Sequence, residues 1–446
     1  MNQVEQALKA ATDTKALLLG KGVLNKIDEL FMQQFPGKKA VVVADRTTWN
    51  VAGSKVSELL DKAGLLHQPP FIFDDPDLYA EYHFVDQLVD FLKTNDAIAV
   101  AVGSGTINDL TKLSSSKCGR PYMVVGTAAS MDGYTAFGAS ITYLGAKQTF
   151  SCPAPKAMIA DTDIISTAPA KMTASGYADL FAKVTAGADW IVASHLGVEP
   201  IDKTAWSIVQ DGLKNALADP SGAAAGEQKA MQNLIEGLLL GGFAMQWSKS
   251  SRPASGAEHQ FSHLWNMEHH TNHGEHISHG FQVSIGMLAV SAFYEQVLKT
   301  PFEQLDVETC VAAWPTPEKL AADATEMFKG TDFPQIGVQE TAAKNPTPEE
   351  LRRQLTVLKE NWPALKADLE HQLLPYQEVK ARLKKVGAPT EPEEIGISRE
   401  RLRASFVRAQ YIRRRFTVLD LAVRTRNMDK WLDGLFGKGG VWEIEK

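Results

Sequence analysis

The first 150 residues alternate short, continuously apolar runs with helix-like stretches, and this alternation limits the chain to few folds. The runs at residues 40–44, 97–102 and 122–125 consist mostly of valine, alanine and isoleucine. Strands that are apolar at every position, instead of every second one, are typical of parallel sheets buried on both faces. The sequence therefore predicts a doubly wound α/β domain, in which ligands bind at the carboxyl ends of the strands.

Beyond about residue 167 the strand signals stop and helix-like stretches dominate. At 446 residues the chain exceeds the size at which a single core stops growing. We therefore expect an α/β domain at residues 1–165, an all-helical domain at residues 166–446 and a cleft between them. The predicted helices of the second domain span residues 176–195, 205–218, 226–245, 255–266, 280–297, 317–328, 348–374 and 399–425.

Composition excludes several classes of protein. Hydrophobic residues make up 44% of the chain and charged residues 22%, the balance of a globular protein. The net charge of −7 argues against a nucleic-acid-binding body. No apolar run reaches the roughly 20 residues of a membrane span, no secretory leader is visible, and the three cysteines form no CxxC pair. These features favour a cytoplasmic protein without a membrane span.

Histidines are concentrated in one stretch, and seven of the eleven lie between His259 and His279. Imidazole is the commonest protein ligand of metals. His259 and His263 are four residues apart and share one face of a predicted helix. Gln260 stands where a zinc protease of the HExxH type has its general base, so a protease would lack that base. His279 begins an apolar helix, so His259 and His279 could meet at one metal from two packed helices.

A third ligand is expected because catalytic metal sites commonly use three protein ligands and leave one position open. Asp179 is the best carboxylate candidate, since it lies among apolar neighbours where an unpaired charge is costly. The alternative is a surface loop with incidental histidines, which fits His269, His270 and His273. A metal-binding protein without enzymatic activity would use the same stretch.

A second set of residues fits a nucleotide. Residues 97–112 read as a buried strand, a Gly-Ser-Gly turn and a helix whose N-terminal N–H groups suit a pyrophosphate. Asp45 can accept hydrogen bonds from a ribose or cap the helix that follows it. Asp132 has the default role of a turn-forming residue. Hydroxyls and amides at the end of the third strand come from Thr127, Ala128, Ala129 and Ser130.

Five segments together resemble a known family, in the correct order. They are GSGTINDLTK (103–112), GTAASMDGYTAFGASI (126–141), KAMIADTDII (156–165), GYADLFAK (176–183) and SGAEHQFSH…HGFQVSIGML (255–288). The chain is thereby similar to the glycerol-1-phosphate dehydrogenases. These belong to the superfamily of iron-containing alcohol dehydrogenases, glycerol dehydrogenases and dehydroquinate synthases.

The resemblance implies a metal bound by Asp179, His259 and His279. His279 is preferred to its rival His273 because only His279 is followed by a glycine that opens an apolar helix. One departure from the family is Ala136, at a position where a serine usually contacts the cofactor.

The resemblance also implies substrate and cofactor residues. Asp132, Asp179 and His263 would face the substrate, with His263 and Asp179 as catalytic residues. The implied cofactor site consists of Asp45, Gly103, Ser104, Gly105, Thr106, Ile107, Thr127, Ala128, Ala129 and Ser130.

The implied reaction is the reversible reduction of dihydroxyacetone phosphate to sn-glycerol 1-phosphate by NADH or NADPH. A divalent Ni²⁺ or Zn²⁺, with Fe²⁺ also compatible, would polarise the C2 oxygen. Arg252 and Lys183 are candidates for holding the phosphate, by proximity in sequence only. A homodimer is expected. The alternatives are a glycerol or other polyol dehydrogenase and an enzyme similar to dehydroquinate synthase.

Overall fold

The computed structural model describes residues 3–445. Its strands are β1 Ala16–Gly20, β2 Ala40–Asp45, β3 Phe71–Phe73, β4 Ile98–Gly103, β5 Met123–Gly126, β6 Ala139–Tyr143, β7 Ala146–Phe150, β8 Ala157–Asp161, β9 Thr271–Asn272 and β10 Glu275–His276. Its α-helices are α1 Gln3–Ala10, α2 Ile27–Gln34, α3 Arg46–Thr48, α4 Ser54–Lys62, α5 Tyr82–Lys93, α6 Gly105–Lys117, α7 Thr162–Ile165, α8 Ala170–Phe181, α9 Lys183–His195, α10 Lys203–Gln210, α11 Leu213–Ala216, α12 Pro220–Ala224, α13 Gln228–Ser248, α14 Ala257–Met267, α15 His279–Leu298, α16 Val307–Ala312, α17 Pro317–Met327, α18 Ile336–Lys344, α19 Pro348–Gln372, α20 Tyr376–Val386, α21 Arg399–Tyr411, α22 Val418–Arg424 and α23 Met428–Phe436.

The chain forms two compact units. Among the described residues, unit 1 comprises residues 3–180 with Thr204–Ser251, and unit 2 comprises Phe181–Lys203 with residues 252–445. These limits differ from the expected boundary after residue 165 because most of α8 and residues 204–251 belong to unit 1. Within unit 1, the Tyr177 hydroxyl donates to the Leu217 carbonyl at 2.8 Å.

Unit 1 is built on a six-stranded sheet in the order β1-β8-β5-β4-β2-β3, and every strand pair in it is parallel. The predicted doubly wound α/β fold is therefore confirmed. β4 and β5 are buried along their whole length, as continuously apolar strands require. From β2 the chain passes to β3 on one side and then to β4 on the other, so the strand order reverses between β2 and β4. Open α/β sheets bind ligands at such a switch point.

The hairpin β6–β7 is a strand pair that the sequence analysis missed. Its two strands are antiparallel, and its turn residues Leu144 and Gly145 have φ of 50° and 78°. Two-residue hairpins with positive φ usually carry Asn-Gly or Asp-Gly. A leucine at the first turn position gives no such signal.

Unit 2 is mostly helical, as predicted, apart from the short hairpin β9–β10. Several expected helices are divided in the structure. Residues 176–195 form α8 and α9, residues 205–218, which belong to unit 1, form α10 and α11, and residues 399–425 of unit 2 form α21 and α22. The last division has a local cause, because Thr417 and Asp420 form a capping box that starts α22.

Helix α15 is the apolar centre of unit 2. Among the described residues, it alone has the length and hydropathy of a membrane-crossing helix. Within the protein, however, 78% of its most apolar window is buried. Its hydrophobic character is therefore accounted for by packing in the core of unit 2.

Candidate active site

Two of the predicted nucleotide-binding segments lie at the switch point of the sheet. β2 ends at Asp45 and β4 ends at Gly103. The Asp45 carboxylate accepts a hydrogen bond from the Thr48 amide at 2.7 Å, and the Thr48 hydroxyl accepts one from the Asp45 amide at 3.1 Å. Asp45 is therefore the N-cap of the following helix, as the sequence allowed. Its role toward a ribose stays a prediction.

The glycine turn after β4 leads directly into α6. Ser104 is the N-cap of α6, and its side chain makes no capping hydrogen bond. A Cβ atom on Gly103 would lie 2.6 Å from the Cβ of Ile107, so the turn packs tightly on the helix. Gly105 and Thr106 are half-buried in the first turn of α6. Because the first N–H groups of a helix lack partners within it, this turn suits an anion.

The segment after β5 packs against the glycine turn. The Thr127 amide donates to the Gly103 carbonyl at 3.1 Å. The buried Tyr134 hydroxyl lies 3.2 Å from the Gly103 carbonyl and 2.9 Å from that of Ala128, and burial raises the pKa of Tyr134. Ala129 is buried beside Ala128 and Ser130 is half-buried. Tyr134 therefore connects the two segments expected to hold the cofactor.

Lys112 fixes the same segment and was not singled out from the sequence. Its side chain is fully buried, and its ammonium donates to the carbonyls of Gly133, Ala136 and Gly138 at 2.9–3.0 Å. A lysine on an otherwise ordinary helix gives no signal of this role. Only the folded chain brings the three carbonyls around it.

Asp179 is fully buried near the end of α8. Its Oδ2 accepts a hydrogen bond from the Asp132 amide at 3.0 Å. One turn earlier, a Cβ atom on Gly176 would overlap the carbonyl oxygen of Ala129. Within unit 1, α8 is therefore in direct contact with residues 129–132. The structure thus brings together Asp179 and Asp132, to which the family resemblance assigned a metal and a substrate role.

His259 and His263 lie one turn apart on α14, and His279 is the first residue of α15. The His259 and His279 ring centroids are 5.2 Å apart, and His263 lies 6.4 Å from each. Asp179 belongs to the last turn of α8, the helix in which unit 1 gives way to unit 2. One potential ligand atom from each of Asp179, His259 and His279 lies within 4.8 Å of the other two.

This donor set fits a divalent transition metal. In a tetrahedral site with bonds of about 2.0–2.2 Å, two ligand atoms lie about 3.3–3.6 Å apart, so the three side chains would have to draw together by about 1 Å to bind one ion. The rival His273 is exposed at the tip of the hairpin β9–β10, with φ of 52°. Among the described residues, the group that could hold a metal contains His279 and not His273.

The two candidates for phosphate binding are both buried. The guanidinium of Arg252 donates to the carbonyls of Phe416 and Asp189 at 3.0 and 3.2 Å and lies 3.2 Å from the Glu199 carboxylate. These contacts hold segments of unit 2 together. The phosphate roles of Arg252 and Lys183 stay predictions.

A buried carboxylate, Asp189, lies beneath the start of α14. It accepts hydrogen bonds from the Tyr294 hydroxyl at 2.6 Å, the Ala257 amide at 2.7 Å and the Val418 amide at 2.9 Å. Burial, reinforced by the charge of Glu258, raises the pKa of Asp189 to about 7. Sequence reasoning did not single out Asp189, because nothing in its helix distinguishes a buried aspartate from a solvated one.

Comparison with known proteins agrees with this arrangement. Residues 18–169 match the family model described as iron-containing alcohol dehydrogenase. The chain is 33% identical to the glycerol-1-phosphate dehydrogenase [NAD(P)+] of Halalkalibacterium halodurans over 294 residues, which cover 66% of this chain and 73% of that protein. The chain belongs to the glycerol-1-phosphate dehydrogenase family. The family member from Geobacillus stearothermophilus is 28% identical over 86% of each chain.

Solved structures share the fold of this glycerol-1-phosphate dehydrogenase family member. Sulfoacetaldehyde reductase from Bifidobacterium kashiwanohense, in complex with NAD+, superposes with a TM-score of 0.59 at 15% identity, covering 94% of this chain and 96% of that one. A probable glycerol dehydrogenase from Sinorhizobium meliloti gives a TM-score of 0.56 at 16% identity, covering 94% and 98%. At these identities the likeness concerns the fold alone.

Proposed function

We propose that this protein reduces dihydroxyacetone phosphate to sn-glycerol 1-phosphate with NADH or NADPH, reversibly and with one bound divalent metal ion. The observation that carries the proposal lies within unit 1. Residues 127–132 supply both the amides assigned to the cofactor and the Asp132 N–H group that binds Asp179. One short segment is thereby connected to the proposed cofactor site and to a proposed metal ligand.

Asp179, His259 and His279 would hold the metal, and their carboxylate and imidazole atoms suit nickel, zinc or ferrous iron. A bound ion would supply Lewis-acid polarisation of the C2 oxygen, while the nicotinamide would supply the hydride. The protein's own part is to fix these groups. The Asp132 amide and the three carbonyls held by Lys112 keep the loop beside Asp179 in one conformation.

His263 would carry the proton in the proposed reaction. It is half-buried and lies one turn along α14 from His259. Imidazole takes up and releases protons near neutral pH, so His263 can deliver a proton toward the C2 oxygen as the alkoxide develops. Asp132 would contact the substrate from the loop that follows Ser130.

The glycine turn would hold the coenzyme. The amides at the start of α6 would bind the pyrophosphate and Asp45 the ribose, since a carboxylate favours an unphosphorylated 2′-hydroxyl. Ala136 is 5% exposed, and its carbonyl accepts a hydrogen bond from the Lys112 ammonium. A cytoplasmic homodimer acting in phospholipid synthesis completes the proposal.

Steady-state kinetics on chelator-treated protein refilled with Ni²⁺, Zn²⁺ or Fe²⁺ would test the function. Dihydroxyacetone phosphate, glycerol, other polyols and a dehydroquinate-synthase substrate are compared in the same series, and the product enantiomer is determined. We expect turnover with dihydroxyacetone phosphate, sn-glycerol 1-phosphate as product, and loss of turnover without metal. A preference for an unphosphorylated polyol would contradict the proposal. Metal binding without NADH binding would indicate a non-enzymatic protein.

A matched variant separates the metal site from the fold. His259→Ala should abolish metal binding and turnover together while the far-ultraviolet circular dichroism spectrum stays unchanged. Exposed His273, replaced in the same way, should leave both properties intact. Turnover that survives in His259→Ala would exclude His259 as a ligand.

A further inference from the structure

The two imidazoles of the proposed metal site are hydrogen-bonded on the side away from their Nε2 atoms. His259 Nδ1 lies 2.8 Å from Oε1 of Glu258, whose side chain is fully buried. Glu258 is itself fixed, because its Oε1 accepts from the Gly256 amide at 2.6 Å and its Oε2 accepts from the Thr185 hydroxyl at 2.9 Å. A carboxylate only accepts hydrogen bonds. The proton between the two residues is therefore directed from His259 Nδ1 toward Glu258.

His279 is oriented through a neutral chain whose direction can be worked out. Gln282 Nε2 donates to the Ile277 carbonyl at 3.4 Å and to Asn266 Oδ1 at 3.0 Å. Because a carbonyl can only accept, this contact assigns the Gln282 amide nitrogen to that side and its Oε1 to the other. Gln282 Oε1 lies 3.0 Å from the Ser262 hydroxyl, which must be the donor.

The single proton of Ser262 is used by this bond. Ser262 Oγ also lies 3.2 Å from His279 Nδ1. A hydroxyl whose only proton points at Gln282 can meet His279 only as an acceptor. His279 Nδ1 must therefore carry a proton and donate it to Ser262.

We propose that Glu258 and Ser262, the latter directed by Gln282, are positioning residues that hold His259 and His279 as Nδ1–H tautomers with Nε2 available to the metal. The inference rests on the proposed function, which supplies the metal. A neutral imidazole binds a metal through its unprotonated nitrogen, so fixing the tautomer beforehand removes a rearrangement from metal binding. The carboxylate of Glu258 also places a negative charge beside His259, whereas the hydroxyl of Ser262 orients His279 without adding charge.

Helix spacing explains why these residues can act together. His259 and Ser262 are three residues apart on α14, as His279 and Gln282 are on α15, and residues at this spacing are neighbours on one helix face. α14 and α15 also approach closely, since a Cβ atom on Gly286 would overlap the carbonyl oxygen of Glu258. The close approach puts Ser262 within reach of α15.

The test uses the full-length protein and a readout other than activity. The variants are Glu258→Gln and Ser262→Ala, and the readout is the Zn²⁺ dissociation constant by competition with a chromophoric chelator. Glutamine can keep the acceptor for Gly256, while Thr185 can turn its proton to the Ala182 carbonyl at 3.0 Å, so Glu258→Gln is expected to fold. Each variant should weaken Zn²⁺ binding by about tenfold to a hundredfold.

Matched controls remove comparable groups from the same helices. Glu268→Gln removes the carboxylate at the C-cap of α14, which is paired with Arg401 and Arg408. Ser284→Ala removes a buried hydroxyl of α15 that donates to the Pro389 carbonyl at 2.7 Å. Neither group contacts His259 or His279 in the described contacts, so Zn²⁺ affinity should be unchanged. Ser262→Thr restores a hydroxyl and should recover most of the affinity lost in Ser262→Ala.

A second measurement does not depend on how the variants fold. Two-bond ¹H–¹⁵N spectra of histidine-labelled metal-free wild-type protein report the tautomer of each ring, at a pH above the range in which imidazole ionises. Nδ1–H signals for both His259 and His279 are expected. An Nε2–H tautomer at either ring, or wild-type Zn²⁺ affinity in both Glu258→Gln and Ser262→Ala, would overturn the inference. Zn²⁺ retained by His259→Ala would instead overturn the proposed metal site.

Discussion

Lys112 provides the sharpest test of how unit 1 holds the proposed cofactor loop. Replacement by methionine removes the ammonium that donates to the carbonyls of Gly133, Ala136 and Gly138. Hydrogen bonds from a charged donor contribute about 1.5–3 kcal/mol each. Methionine refills much of the space with apolar contacts, but the three carbonyls and the nearby Asp109, 3.7 Å away, lose the positive charge of the ammonium. We expect the free energy of unfolding to fall by about 3–5 kcal/mol.

Urea denaturation followed by circular dichroism measures this loss. With a slope of about 3 kcal/mol per M, the midpoint should fall by about 1–1.7 M. NADH fluorescence titration should show at least about a tenfold weaker dissociation constant, because a 1.4 kcal/mol cost of ordering the loop is enough for that change. Lys117→Met is the matched control, since Lys117 lies on the same helix but pairs with Asp86 at the surface.

The control should change stability by no more than about 0.5 kcal/mol and leave NADH binding intact. The reasoning would be refuted if Lys112→Met behaved like Lys117→Met in both assays. A loss of stability without a loss of NADH affinity would show that Lys112 stabilises unit 1 but does not position the cofactor loop.

Three further predictions concern other buried groups. The pKa of Asp189 is raised from 3.8 to about 7, so its contribution to stability is present below about pH 4 and is lost as the pH rises to 7. Urea titrations across this range should show that the free energy of unfolding decreases by about 4 kcal/mol because of this group. Asp189→Asn should remove this pH dependence. Gly176→Ala should destabilise the protein by about 1–3 kcal/mol in thermal unfolding, because the added Cβ would overlap the Ala129 carbonyl. This loss is expected despite the better helix propensity of alanine. Unchanged stability would contradict the close approach of α8 to Ala129. Tyr134→Phe removes a hydroxyl that contacts two backbone carbonyls. The variant should lose about 1 kcal/mol of unfolding free energy and bind NADH more weakly. Wild-type NADH affinity would show that the hydroxyl is not needed to position the cofactor segments.

The sequence by itself determined the parallel sheet and the helical part of the chain. Continuous apolar runs and helical periodicity are local patterns, each contained in a window shorter than 20 residues. Local sequence patterns also predicted Asp45 as a helix cap, and His259 and His263 as neighbours on one helix. The glycine turn at Gly103 and the helix start at His279 were also visible, because both follow from the residues directly before and after them.

Only the tertiary structure decided which distant groups meet. The Lys112 ammonium among three carbonyls, Asp189 beneath α14, and the hydrogen-bonded chain from Gln282 to His279 all join segments separated along the chain. No local pattern encodes such contacts, since a buried polar residue looks in sequence like a solvated one until its partners are known. The physical reason is that a buried polar group without a hydrogen-bond partner is costly. The native fold gives these buried groups partners at the same time, and the sequence alone does not indicate which partners those are.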